Sequence, residues 1–111
     1  MLSRIKSKNL NKNEIKFSRM EHLSIKEIHE RLEELKDWEM LGHEISKEFH
    51  FQNFKEAMQF VQKIGEEAER ENHHPDIFIR YNKVTITLTT HSAGGITYKD
   101  FKLAKVIGQL V

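Results

Sequence analysis

From Phe54 to Ala68 the apolar side chains Phe54, Ala57, Met58, Val61, Ile64 and Ala68 recur at helical spacing. Lys55, Glu56, Gln59, Gln62, Lys63 and Glu66 fall elsewhere, so the pattern is that of a helix with one buried stripe. Asn53 can cap its start, and Pro75 forbids helical geometry at the residue before it, so the helix should end where His73 and His74 begin. An earlier helix is predicted from Ser24 to about Leu35: Ser24 and Glu27 form a capping box, and Ile25, Ile28, Leu32 and Leu35 share a face. Trp38 to Leu41 reads as a short strand, Gly42-His43 as a turn, and Glu44 to Phe51 as a second strand. Ile45, Lys47, Phe49 and Phe51 share a face of that second strand, and the lysine among them is a mark of an edge.

Beyond Pro75, Ile77 to Tyr81 predicts a strand and Asn82-Lys83 a turn. Val84, Ile86 and Leu88 then alternate with Thr85, Thr87 and Thr89, as a half-buried strand requires. Gly94-Gly95 reads as a loop, and Thr97 with Asp100 repeats the capping-box pattern before a last helix carrying Phe101, Leu103, Ala104, Val106, Ile107 and Leu110. Apolar residues surround much of that helix, so one side is expected to face another subunit. The order is α-β-β-α-β-β-α. Two hairpins with helices between them pack most simply as an α+β domain, a four-stranded antiparallel sheet covered on one face by three helices.

Composition narrows what such a domain can do. A chain of 111 residues holds one core, and a core of this size often gains stability by association. With no cysteine, disulfides, thiolate nucleophiles and cysteine-ligated zinc are excluded, and a reducing compartment such as the cytoplasm is compatible. Net charge is +1, but residues 1–20 hold six Lys or Arg against Glu14 alone, which leaves the remainder net acidic by four. Residues 21–111 are therefore poorly suited to direct nucleic-acid binding, and no apolar run approaches a membrane span. Residues 1–20 read as a basic extension; they lack the apolar block of a secretory signal, while their scarcity of acids leaves organelle targeting open.

The chemistry is concentrated between Glu69 and Asp100. Glu69 stands four residues before His73-His74-Pro75; Tyr81, His91 and Asp100 follow. This order and spacing resembles the signature of the pterin-4a-carbinolamine dehydratases, over roughly residues 22 to 110. Tyr81-Asn82-Lys83-Val84, the run Ile86 to His91, Gly94-Gly95-Ile96-Thr97 and Leu103-Ala104 agree with it. The resemblance implies dehydration of a 4a-hydroxytetrahydropterin released by aromatic amino-acid hydroxylases, with no cofactor and no metal. It also implies sheets joined across a dimer, dimers paired through helices into a tetramer, and, in some animals, a second role as dimerisation cofactor of a homeodomain transcription factor.

On this reading His73 and His91 transfer protons and His74 holds or polarises the substrate. Glu69, one turn before His73, would favour a protonated imidazole there, and Asp100 would orient an imidazole. Trp38 or Tyr81 would line the flat ring. Plainer readings stand beside these. Three histidines with two carboxylates could form a zinc site, although adjacent histidines at an extended turn diverge. Asp100 could be only a helix cap, Glu69 only a surface charge, and Trp38 and Tyr81 only packing aromatics. His22, His29, His43 and His50 belong to no constellation. Because the resemblance begins just after Met20, a chain started at Met20 is expected to fold and act like the full chain. Circular dichroism and turnover check this, and lost stability would show that the extension packs.

Overall fold

The computed structural model describes residues 21–111, so the basic extension predicted for residues 1–20 lies outside the described residues. Helix α1 (Ile25–Leu32) is followed by β1 (Glu39–Leu41), β2 (Glu44–His50), helix α2 (Phe54–Glu71), β3 (Asp76–Arg80), β4 (Lys83–Leu88), a 3-10 turn (His91–Ala93) and helix α3 (Tyr98–Gly108). The four strands form one antiparallel sheet in the order β1-β2-β4-β3. This is the α-β-β-α-β-β-α arrangement that the alternation predicted.

Each helix begins as its sequence dictates. Ser24 and Glu27 close a full capping box at α1, Asn53 accepts from the Glu56 amide at α2, and Thr97 and Asp100 close a second box at α3. The sheet turns Ile45, Phe49, Val84, Ile86 and Leu88 toward the helices, where they meet Ile28, Ala57, Phe60, Ile64, Phe101, Leu103 and Ile107. Phe60 lies 4.8 Å from Phe49 and 4.9 Å from Phe51, ring centroid to centroid, which joins α2 to the end of β2. Burial of such side chains contributes about 1.5–3 kcal/mol each and is the main force holding the layers together.

Three local expectations are corrected. Helix α1 stops at Leu32 rather than Leu35: the last amides bond three residues back, Asp37 takes a left-handed φ of 67°, and Lys47 Nζ donates to the Lys36 carbonyl at 2.9 Å. The chain is thereby reversed so that Trp38 enters the core. Second, β2 is not an edge strand, since β4 pairs along its length. Yet β1 pairs only with Glu44 to Ser46, so from Lys47 onward one side of β2 is open, and the lysine marks that open half. Third, the β3–β4 turn is Tyr81-Asn82 rather than Asn82-Lys83. Asn82 is tied to Phe51 by two bonds, Asn82 Nδ2 to the Phe51 carbonyl at 2.9 Å and the Phe51 amide to the Asn82 carbonyl at 2.8 Å, which leaves Lys83 to pair with Arg80.

Of the apolar residues predicted for α3, Phe101, Leu103, Ala104 and Ile107 are buried against their own chain, while Val106 and Leu110 remain part-buried. Large apolar side chains that remain exposed include Phe54 and Met58 on α2 and Ile77 and Phe78 on the edge strand β3. Truncating the fully buried Ile86 to Ala is expected to cost about 2–5 kcal/mol of stability through lost burial and a residual cavity, read from chemical denaturation at unchanged slope.

Candidate active site

The site grows out of the way α2 ends. Asn72 adopts the left-handed conformation (φ 51°, ψ 43°), its amide bonds back to Glu69, and the His73 amide bonds to the Ala68 carbonyl at 3.0 Å. These paired bonds are a Schellman terminus, in which Asn72 takes the place usually held by glycine. Pro75 two residues on prevents the helix from resuming. The backbone of His73 is therefore pinned to the last turn of α2 while the chain swings into β3.

The two adjacent imidazoles then part. His73 turns inward, 9% exposed, and its Nε2 lies 2.6 Å from Asp100 Oδ1. His74 stays outside, with Nε2 2.6 Å from Glu69 Oε2 in a pair that is largely exposed on both sides. The expectation that Glu69 acts on His73 is thus corrected. One turn of helix plus the Schellman reversal sets Glu69 beneath His74, and the inward carboxylate comes from α3. An exposed pair is screened by water and contributes little, whereas the inward pair is removed from solvent.

Asp100 is fully buried, and every part of its carboxylate is used. Its Oδ2 accepts from the Thr97 amide at 2.9 Å, completing the α3 cap, and from the Thr90 hydroxyl at 2.8 Å, while Oδ1 faces His73. A helix cap and a histidine partner are therefore one residue. The Thr90 and Thr97 hydroxyls are also 2.7 Å apart, and both residues are buried. Thr90 is held by reciprocal backbone bonds with Gly95, at 3.0 and 3.3 Å, which close the loop carrying His91.

His91 opens the 3-10 turn immediately after Thr90, and its exposed ring makes no hydrogen bond with any described residue. The β3–β4 ladder starts at Asp76 opposite Thr87, and Asp100, bonded to both His73 and Thr90, ties the segment before β3 to the segment after β4. His73, His74, His91, Glu69 and Asp100 thus gather at one end of the sheet. Tyr81 and Trp38 do not join them. Tyr81 is 65% exposed at the far end of β3, roughly 15 Å of strand away, and Trp38 is buried edge-to-face against Phe49 with centroids 6.2 Å apart.

Four residues of this corner were not anticipated. Thr90 continues the inward parity of Val84, Ile86 and Leu88, which the alternation could have revealed. Thr97 was read only as a cap, although its hydroxyl also meets Thr90. His22 packs on Gly95: a Cβ at that glycine would stand 3.1 Å from His22 Cβ, closer than nearly all real contacts. Beside it the Leu23 amide bonds to the Ile96 carbonyl at 2.8 Å. His43 also contributes, since its carbonyl accepts from Thr89 Oγ1 at 2.8 Å and draws the β1–β2 turn toward the same end of the sheet.

The small α+β domain thus carries two imidazole–carboxylate pairs at one helix exit, an arrangement chemically able to give and take protons. Residues 21–110 match the family described as pterin 4 alpha carbinolamine dehydratase, and the chain belongs to that family. A relative from Cyanothece sp., provisionally named a pterin-4-alpha-carbinolamine dehydratase, is 56% identical over 88 residues, covering 79% of this chain and 91% of the relative. One from Sulfurisphaera tokodaii, named in the same provisional way, is 50% identical over 92 residues, covering 83% and 99%. A crystal structure described as a transcriptional coactivator/pterin dehydratase from Brucella melitensis superposes with a TM-score of 0.78 at 34% identity, covering 80% of this chain and 97% of that one.

Replacing Asp100 with Ala would leave the α3 cap amide, the Thr90 hydroxyl and His73 without their acceptor. It is expected to cost about 2–4 kcal/mol in denaturant unfolding, whereas Glu69→Gln at the exposed pair should change stability by less than about 0.5 kcal/mol.

Proposed function

We propose that the protein dehydrates a 4a-hydroxytetrahydropterin to the quinonoid dihydropterin by acid–base catalysis at His73, His74 and His91. The observation that carries this reading is the buried His73–Asp100 contact at 2.6 Å, set at the same end of the sheet as the His74–Glu69 pair and the uncommitted His91. Imidazole suits the task because its ordinary pKa, about 6.5, lets it give or take a proton near neutrality.

The reaction moves two protons and breaks one carbon–oxygen bond. An acid delivers a proton to the hydroxyl on C4a, the bond to oxygen breaks and water leaves. The lone pair of the neighbouring ring nitrogen closes the carbon–nitrogen double bond, and a base removes the proton from that nitrogen. Electrons from nitrogen expel the water, so the chemistry calls for neither an oxidant nor a Lewis acid. A positioned acid or base adds roughly 10²–10⁴-fold, a fitting contribution to a step that already proceeds unaided. His73, anchored on both sides, and exposed His91 transfer the protons, while His74, backed by Glu69, holds or polarises the pterin. The reaction sits in tetrahydrobiopterin recycling, downstream of an aromatic amino-acid hydroxylase, in the cytoplasm.

Self-association accompanies this reading. Phe54 and Met58 expose an apolar face on α2, and Ile77 and Phe78 do so on the edge strand β3, so two separate surfaces favour a homodimer or homotetramer. The same α2 face supports a second reading, a dimerisation cofactor for a transcription factor, to which the coactivator description of the Brucella melitensis structure also points. Light scattering separates dimer from tetramer, and a tetramer that captures no such partner would weaken the second reading.

The deciding measurement is the absorbance-followed dehydration of freshly generated 4a-carbinolamine tetrahydropterin in the presence of a chelator. Wild type is expected to accelerate it, and His73→Ala and His91→Ala to reduce turnover by roughly 10²-fold or more with the fold intact. Near-wild-type rates in both variants would sink the assignment.

A further inference from the structure

The hydrogen bonds around Asp100 have a direction that their distances alone do not state. Thr90 has one hydroxyl proton, and it goes to Asp100 Oδ2 at 2.8 Å. The contact between the Thr90 and Thr97 hydroxyls must then be donated by Thr97. Thr97 Oγ1 in turn accepts from the Lys99 amide at 3.2 Å, and the Thr97 amide donates to Oδ2. A single ordered chain runs from the α3 amides through two hydroxyls onto one carboxylate oxygen. Oδ2 is filled by two donors, Oδ1 meets only His73, and imidazole is ordinarily the stronger base of the two groups. The proton between Oδ1 and His73 therefore belongs to Nε2.

The other ring nitrogen is in the opposite situation. Nδ1 of His73 bonds to no described residue, and among the described residues no buried side-chain nitrogen or oxygen lacks a partner. Nδ1 is accordingly the ring nitrogen that reaches the surface. We propose that His73 exchanges protons with the substrate through Nδ1 alone, its Nε2–H remaining on Asp100, and that Thr90 and Thr97 are positioning residues that hold this tautomer.

The inference rests on the dehydratase reading for the identity of the substrate but not for the tautomer. A proton taken from the ring nitrogen of the pterin bonds to the Nδ1 lone pair, forming an imidazolium whose charge faces Asp100. A proton given to the departing hydroxyl leaves the same atom and restores the neutral ring. In neither direction does Asp100 gain or lose a proton, so the Thr97–Thr90–Asp100 chain keeps its polarity through the cycle.

Long-range proton–nitrogen correlation spectra of the 15N-histidine-labelled full-length protein test this without reference to turnover. In its neutral form His73 is expected to show a protonated Nε2 and a bare Nδ1; a protonated Nδ1 with a bare Nε2 would overturn the proposal. Thr90→Val, which keeps the shape and deletes the donor, is expected to lower kcat roughly tenfold with KM within about twofold, and to speed solvent exchange of the Nε2 proton by about tenfold. Thr90→Ser should restore both. Wild-type turnover and exchange in Thr90→Val would remove the threonines from the proposal. A wild-type protein inactive on the carbinolamine but carrying the expected tautomer would instead count against the dehydratase reading alone.

Discussion

The corner of the fold that matters most is held by one buried carboxylate. Asp100 is fully enclosed, and an ion moved out of water costs several kcal/mol unless its oxygens are all engaged. Here they are, by the N-cap residue of α3, by Thr90 two residues beyond β4 and by His73 two residues beyond α2. Three elements that the apolar core would hold only approximately are thereby joined at one point. Hydrophobic contact is indifferent to small sliding motions, whereas a carboxylate with three partners is not.

The two histidines beside it show how backbone geometry divides chemistry between neighbours in sequence. The Schellman end of α2 sends consecutive side chains to different places, one into the interior and one to the rim. The inner ring has a single geometry because its carboxylate is held from several sides. The outer ring and Glu69 form a pair that is largely exposed to solvent and therefore weakly held. One helix exit thus yields an anchored imidazole and an exposed one from adjacent residues.

Much of this was legible before the structure. The alternation of Val84, Ile86 and Leu88 against threonines and the two capping boxes are local signals that appear where they were expected, whereas the stripe of α2 holds only in part: Ala57, Ile64 and Ala68 are buried together with Phe60, while Phe54 and Met58 stand exposed. The His-His-Pro exit was legible for the same reason, since proline acts on its immediate neighbours. What could not be read was which carboxylate meets which imidazole. Glu69 is near His73 in sequence and Asp100 is 27 residues away, yet the distant pair is the buried one. That choice depends on packing α3 across the sheet, which no local pattern encodes. Trp38 and Tyr81 fail in a similar way: an aromatic residue looks alike in sequence whether it fills a core, as Trp38 does, or stands exposed at a turn, as Tyr81 does.

Asp100 also explains why a capping box and a site can coincide. A capping carboxylate ordinarily lies at the surface, and only one of its oxygens is needed by the helix. At α3 the residue is instead fully buried beneath the Thr90–Gly95 bridge, so the second oxygen cannot turn to water and must find a donor in the protein. His73 is that donor. The demand for a satisfied buried acceptor thus couples helix formation to the orientation of an imidazole. Removal of the Asp100 carboxylate would therefore release the start of α3 and the His73 imidazole together.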